Sequence, residues 1–193
     1  MKTYIIPALR MLLVLTAITG IAYPLAMTLF ANVTFKNHAN GSIIEHHGKQ
    51  IGSSLIGQNF SSPKYFHSRP SAIAYNPLPS SGSNFGPTSK ALQDSTSMYK
   101  KQFTVDNDVQ TNIAIPKEMI SMSGSGLDPH ISPESAILQV RRILQARGLD
   151  EHQNQAIVAL INQLTEMPEF GFLGQPRVNV LRLNIALDDL RKD

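Results

Sequence analysis

Residues 11–35, MLLVLTAITGIAYPLAMTLFANVTF, decide how the rest of the chain is read. This run of 25 residues carries no charged side chain. A helix crossing the hydrocarbon core of a bilayer needs about 20 predominantly apolar residues, so the run is long enough with some tilt. Thr16, Thr19, Thr28 and Gly20 interrupt it with small and hydroxyl groups, which suit contact with other membrane helices. Pro24 lies well inside and removes one backbone hydrogen bond, so a kink is expected there. Thr16, Thr19, Gly20 and Pro24 are the candidate helix-contact residues, and a packed helix is favoured over a bare lipid anchor.

Lys2 and Arg10 precede the run and Lys36 follows it, a bias that places the amino terminus in the cytoplasm. No A-x-A pair stands behind the apolar stretch, so a retained anchor is expected rather than a cleaved signal peptide. The expected layout is a cytoplasmic terminus over residues 1–10, a transmembrane helix over 11–35 and an extracytoplasmic domain over 36–193. About 158 residues follow the anchor, enough for one domain with its own core. The chain has 17 basic and 14 acidic residues, and two of the basic ones precede the span. The domain is therefore nearly neutral, and a nucleic-acid partner is not expected. With no cysteine there is neither a disulfide nor thiolate chemistry.

Beyond Asn37, GSIIEHHGKQIGSSLIG reads as two short strands over 43–46 and 50–56, turning at His47-Gly48-Lys49. His46 and His47 invite a metal, but adjacent residues on a strand point to opposite faces. No carboxylate or third histidine stands nearby at ligand spacing, so no metal site is expected. Residues 61–90, SSPKYFHSRPSAIAYNPLPSSGSNFGPTSK, carry five prolines that forbid regular structure through most of the stretch. Tyr65, Phe66, Tyr75 and Phe85 are spaced to pin such a loop to a surface rather than leave it a linker. With Arg69 and Asn84 they form the candidate partner-facing loop.

A helix is expected over 89–103 behind a Thr88 cap, with a polar break over 106–108 and strands over 109–115 and 119–122. Next comes SGSGLDPHISPE, residues 123–134. Gly124 and Gly126 allow tight turns, and Asp128 before Pro129 favours one. Ser132 is an N-cap, Pro133 fits the first helical position and Glu134 suits the helix dipole. That helix should run to Arg147 with Ile137, Val140 and Leu144 inward, ending at Gly148. Asp150 and Gln153 make a capping box for a helix that buries Ile157, Ile161 and Leu164. The alternation of RVNVLRLNIAL, residues 177–187, reads as a closing strand. The expected fold is α+β: one N-terminal transmembrane helix and one mixed α+β extramembrane domain.

Gly124, Ser125, Gly126, Asp128, Pro129, His130 and Ser132 form the candidate structural hub. No catalytic residue is assigned, because spacing excludes the common motifs. A nucleophile elbow needs glycine at Ser123 and Leu127, and a dinucleotide fingerprint needs it at Pro129. The Gly48-Lys49 pair is followed by Gln50, so there is no Walker A. The alternative reading is a membrane-tethered hydrolase or ligand-binding module that uses the Gly124-Ser125-Gly126 loop.

The order of YPLAMT, GSSLIGQ, YFHSRPSA, GSNFGPT, SGSGLDPHISPESA and FGFLGQPRVNVLRLNIALD closely resembles the KdpC family. Its members are C subunits of the bacterial high-affinity, ATP-driven potassium uptake complex. The resemblance covers nearly the whole chain, from about residue 7 to 189. Phe85 stands where the family's GSNLGPT has leucine, and residues 120–126 read ISMSGSG in place of VTASGSG. The resemblance implies three partners: a channel-like potassium-translocating subunit, a P-type ATPase subunit and a small single-span subunit. It implies a catalytic chaperone that raises the pump subunit's affinity for ATP. It also implies that ATP and potassium are handled by the complex, with no cofactor on this chain alone. The expected localisation is the inner membrane, single-pass, with the C-terminal domain periplasmic. ATP is cytoplasmic and the basic residues place the domain outside, so the topology and the chaperone description pull apart.

Overall fold

The computed structural model describes residues 2–110 and 112–190, which group into two compact units, Met1–Ile43 and Ile44–Asp193. In the first, helix α1 (Lys2–Ala17) passes through a π-helical turn (Ile18–Ala22) into α2 (Tyr23–Thr34), followed by the short α3 (Lys36–Ala39). Tyr4–Thr34 gives 31 residues long and apolar enough to cross a membrane. At 1.5 Å per residue that is about 46 Å, more than the hydrocarbon core of about 30 Å. Apolar side chains are exposed along it, Leu29 at 67 %, as on a helix that presents its surface to lipid. Pro24 explains the π turn. Proline has no N–H to donate, and the wider turn, with Tyr23 N–H reaching the Ile18 carbonyl, sets Pro24 in the first turn of α2.

Next along the chain is a hairpin of β1 (Ile43–His46) and β2 (Lys49–Ser53), which from Ile44 on belongs to the second unit. His47 and Gly48 take φ of 50° and 73°, the signs a two-residue I′ turn requires. The second strand stops at Ser53, short of the expected 56. Because His47 lies in the turn, strand alternation does not send its ring away from His46. The loop to residue 89 leads into α4 (Lys90–Asn107), whose N-cap is Ser89 rather than Thr88: its hydroxyl accepts the Leu92 N–H at 3.2 Å. The helix runs through the expected polar break to a left-handed Asp108.

No strand forms over the described part of 109–115, where Val109 joins the core and Ile115 packs against it; Thr111 lies outside the described residues. Residues 119–122 form no strand either, since Lys117–Ile120 makes one helical turn, α5, and only then does the backbone extend at Ser121. After β3 (His130–Ile131) the expected helix is broken into α6 (Pro133–Ile137) and α7 (Val140–Arg147). Ile137 is 45 % exposed, and the inner face is Ala136, Val140 and Ile143 together with the polar Gln139 and Arg142. Gly148, in the left-handed conformation, ends α7, and the Asp150–Gln153 capping box opens α8 (Glu151–Gln163).

The closing segment is the largest correction. Only β5 (Arg177–Asn179) is extended, and Val180–Asp189 is helix α9. Asn179 Oδ1 caps it by accepting the Arg182 N–H at 3.1 Å. Val180, Leu183, Asn184 and Leu187 then fall on one buried face at i, i+3, i+4 and i+7. β5 is the centre of a three-stranded antiparallel sheet, flanked by β3 and by β4 (Thr165–Glu166). Ile131 pairs with Val178, and Val178 with Thr165 across the other edge. α8 packs on α6, α7 and α9, and the core of Ile131, Ile143, Ile157, Ile161, Val178 and Leu183 lies between these layers.

Candidate functional site

Two stretches singled out in sequence, the proline-rich loop and the Gly-Ser loop, meet in the structure. Asp128 is the joint. Its Oδ2 takes the Arg69 guanidinium at 2.7 Å, and its Oδ1 accepts the His130 N–H at 3.0 Å. Burial alone would raise this carboxyl. The hydrogen bonds from His130 and Arg69 and the Arg69 charge outweigh it and hold the carboxyl near 2. Tyr75 donates its hydroxyl to the Arg69 carbonyl, and burial pushes that hydroxyl up to about 12.

Backbones approach closely around this pair. A Cβ on Gly57 would sit 2.5 Å from the Asp128 carbonyl oxygen, and one on Gly82 would sit 2.6 Å from that of Gly124. Gly126 has a φ of 72°, and a Cβ there would meet Ile73. The loop carbonyls are taken from several sides. Ser71 donates to Gly126 O at 2.7 Å, Ser80 to Ser125 O at 2.9 Å and Gly57 N–H to Leu127 O at 2.7 Å. Val180 N–H reaches Pro129 O at 2.9 Å and ties the loop to α9. Among the described residues the Ser125 hydroxyl oxygen is engaged by the Leu127 N–H, at 3.1 Å, and by no imidazole. Ser132 caps α6 through the Ser135 N–H at 3.1 Å, and Ser135 in turn donates to Glu118 at 2.6 Å.

The loop over 61–90 is also held from inside the domain. Phe66, a candidate for facing a partner, is 0 % exposed and is instead a core residue. Asn184 brackets its backbone, accepting the Phe66 N–H at 2.8 Å and donating to its carbonyl at 3.0 Å. Gln139 does the same for His67, at 2.7 and 3.2 Å. Arg142, only 7 % exposed, fans out to Asn107, the Pro63 carbonyl, His67 and Gln139. Burial pulls Arg142 down to about 10 and lowers His67, to which the Arg142 charge adds. Tyr65 donates to Asp188 at 3.0 Å beneath Arg147, which pairs with the same carboxylate at 2.7 Å. Asn84 and Phe85 alone of the candidate loop residues are exposed.

Between these braces lies a cleft of about 340 Å³ walled by Phe60, Arg69, Tyr75, Tyr99, Asp106 and Met119. In the N-terminal helix, Thr19 and Thr28 donate to their own helix at Leu15 O and Pro24 O. Gly20 leaves the surface above Thr16 low, since a Cβ there would come within 3.9 Å of Thr16 Cγ2.

Gln139, Arg142 and Asn184 escape a sequence reading because, apart from the Gln139–Arg142 contact, their partners lie 35 to 118 residues away. An amide inside the apolar run of 178–187 is the one local signal. The tip between β4 and β5 was also missed. Phe170 and Phe172 stand 85 % and 75 % exposed there, beside Met167 and Leu173. A clustered apolar tip of this kind is unusual on a soluble surface.

Fold and site together define one N-terminal helix fit to cross a membrane, joined to a small α+β domain whose two long loops brace each other. The family described as "K+-transporting ATPase, c chain" (KdpC) matches residues 5–189, and the chain belongs to that family. It is 49 % identical over 195 residues to the "Potassium-transporting ATPase KdpC subunit" of Dechloromonas aromatica (strain RCB), covering all of both chains. The subunits of the same name from Rhodopseudomonas palustris (strain ATCC BAA-98 / CGA009) and Burkholderia orbicola (strain MC0-3) are 49 % and 46 % identical. Those matches cover 94 % and 97 % of each chain.

Proposed function

We propose that this chain is a non-catalytic accessory subunit of a potassium-transporting ATPase, acting through contact with its partner subunits. Family membership supplies the potassium-uptake setting. The observation that carries the non-catalytic reading is the inward engagement of the Gly-Ser loop: its carbonyls are taken by Ser71, Ser80 and Gly57, and its Ser125 by Leu127. A nucleophilic serine needs a base within hydrogen-bond reach. A P-type pump passes through an aspartyl phosphate, and every aspartate here follows the apolar helix. ATP and potassium are then held by the partners: the channel-like subunit, the P-type ATPase subunit and the small single-span subunit. A role in raising the pump's ATP affinity is exerted through those contacts.

The domain lies outside the cytoplasm of an inner membrane, supported by Lys2 and Arg10 ahead of the apolar helix. Its partner surface is the exposed tip with Phe170 and Phe172, and Phe170→Ser with Phe172→Ser should lower recovery of the assembled complex. Two measurements test the reading. The chain has no cysteine, so Val105→Cys, on the exposed face of α4, supplies a unique thiol. It should react with a membrane-impermeant reagent in intact cells; reaction only after lysis places the domain inside. Calorimetry on the purified chain in detergent should show no ATP binding, and tight binding overturns the contact-only role.

A further inference from the structure

His46 ends β1, and His47 opens the turn with a φ of 50°. The two imidazoles consequently lie side by side, with ring centroids 3.9 Å apart and planes inclined by 56°. Asp189 ends α9, about 140 residues further along the chain, and brings a carboxylate to the same point. Its Oδ1 lies 3.5 Å from His46 Nε2 and 3.8 Å from His47 Nε2. One ligand atom from each of the three residues falls within 4.8 Å of the others. In a tetrahedral site with nitrogen and oxygen bonds of about 2.0–2.2 Å, ligand atoms stand about 3.4 Å apart. Adjustments of an ångström or so, about the freedom of exposed side chains, would bring all three onto one ion.

We propose that His46, His47 and Asp189 form a binding site for a late first-row divalent cation such as zinc, copper or nickel, with a fourth position left to water. The donor set decides the class. Two imidazoles and one carboxylate suit these borderline metals, whereas magnesium and calcium take oxygen, and potassium is coordinated by rings of carbonyl oxygens. Ion pairing alone is a poor reason for the arrangement. The His47 and Asp189 side chains are 64 % and 48 % exposed, a setting in which ion pairs count for little. A bound ion would clip the turn after β1 to the last turn of α9. Cross-links that close a long stretch of chain gain the most stability. The site is independent of the reading of the Gly-Ser loop.

The test is calorimetric titration of the full chain, untagged and in detergent, with zinc chloride alone. One ion per chain is expected, with a dissociation constant on the order of micromolar. His47→Ala and Asp189→Ala should each weaken binding at least about tenfold, while His152→Ala, at an exposed histidine outside the cluster, should leave it unchanged. Zinc should raise the melting temperature of the native chain and not of His47→Ala. Cobalt bound to the native chain should give the visible absorption of a low-coordinate site. Absence of binding up to about 1 mM, or binding that either variant leaves within tenfold of native, overturns the proposal.

Discussion

Phe66 and His67 are gripped by buried amides and a guanidinium, whereas Arg69, Ser71 and Ser80, further on, meet the Gly-Ser loop through a partly exposed ion pair and hydroxyls. Both grips hold the same proline-rich loop. In the first, Asn184, Gln139 and Arg142 stand in for the strand partner that the prolines deny the chain, and almost no water competes. In the second, Arg69 and Asp128 keep about a quarter of their side-chain surface in solvent. Removing a partner from a sealed site leaves a buried polar group unsatisfied, and near solvent water replaces it. The inner grip therefore sets the domain's stability, and the outer one sets the loop's detailed path.

Phe66→Ala should cut deepest, by about 3–5 kcal/mol in denaturant unfolding, through the cavity it leaves. Arg142→Met should follow at about 2–3 kcal/mol, because Gln139, Asn107, the Pro63 carbonyl and the His67 imidazole lose a charged donor at once. If either costs less than the outer-grip variants, the ranking of the two grips is reversed. Acid should expose the same contrast. His67 is held below its ordinary 6.5, first by burial and then by Arg142. The unfolded chain takes a proton there more readily, so this contribution is whole above about 6.5 and declines as pH falls toward the lowered native value. His67→Gln should flatten that part of a melting-temperature profile taken from pH 8 to 5. Asp128 acts lower: its contribution is present above its ordinary 3.8 and is lost as pH falls through about 2.

The outer grip yields smaller effects. Asp128→Ala should cost about 1–2 kcal/mol, and Ser132→Ala about 1 kcal/mol for the lost cap. An Asp128 variant as damaging as Phe66→Ala would mean that the two loops fold as one unit.

Local chemistry was legible and distant chemistry was not. Ser132, Gly148 and the Asp150–Gln153 box announce themselves because a cap and its target lie within three residues. Residues 180–187 fit two periods at once, because Leu181, Leu183, Ile185 and Leu187 satisfy a period of two while Val180, Leu183 and Leu187 satisfy a helix. Asn179, capping α9 with one end of its amide and reaching Ser54 O with the other at 2.7 Å, settles the choice from outside the segment. Ile137 falls on the stripe of Val140 and Leu144 by helical spacing, but Gln139 and Arg142 claim the inner face for contacts 35 or more residues away. The pairing of the Gly-Ser and proline-rich loops had no local signature, although the one stands out for its turns and the other for its prolines and aromatics.

The Gly-Ser loop works either by shape or by chemistry, and Ser125→Ala separates the two. The change should leave stability within about 0.5 kcal/mol, because its hydroxyl serves one exposed turn. The decisive measurement is potassium-stimulated ATPase activity, per assembled complex, of a complex carrying Ser125→Ala. The contact-only account predicts the unaltered rate. Loss of activity in a complex that is fully folded and fully assembled would contradict it.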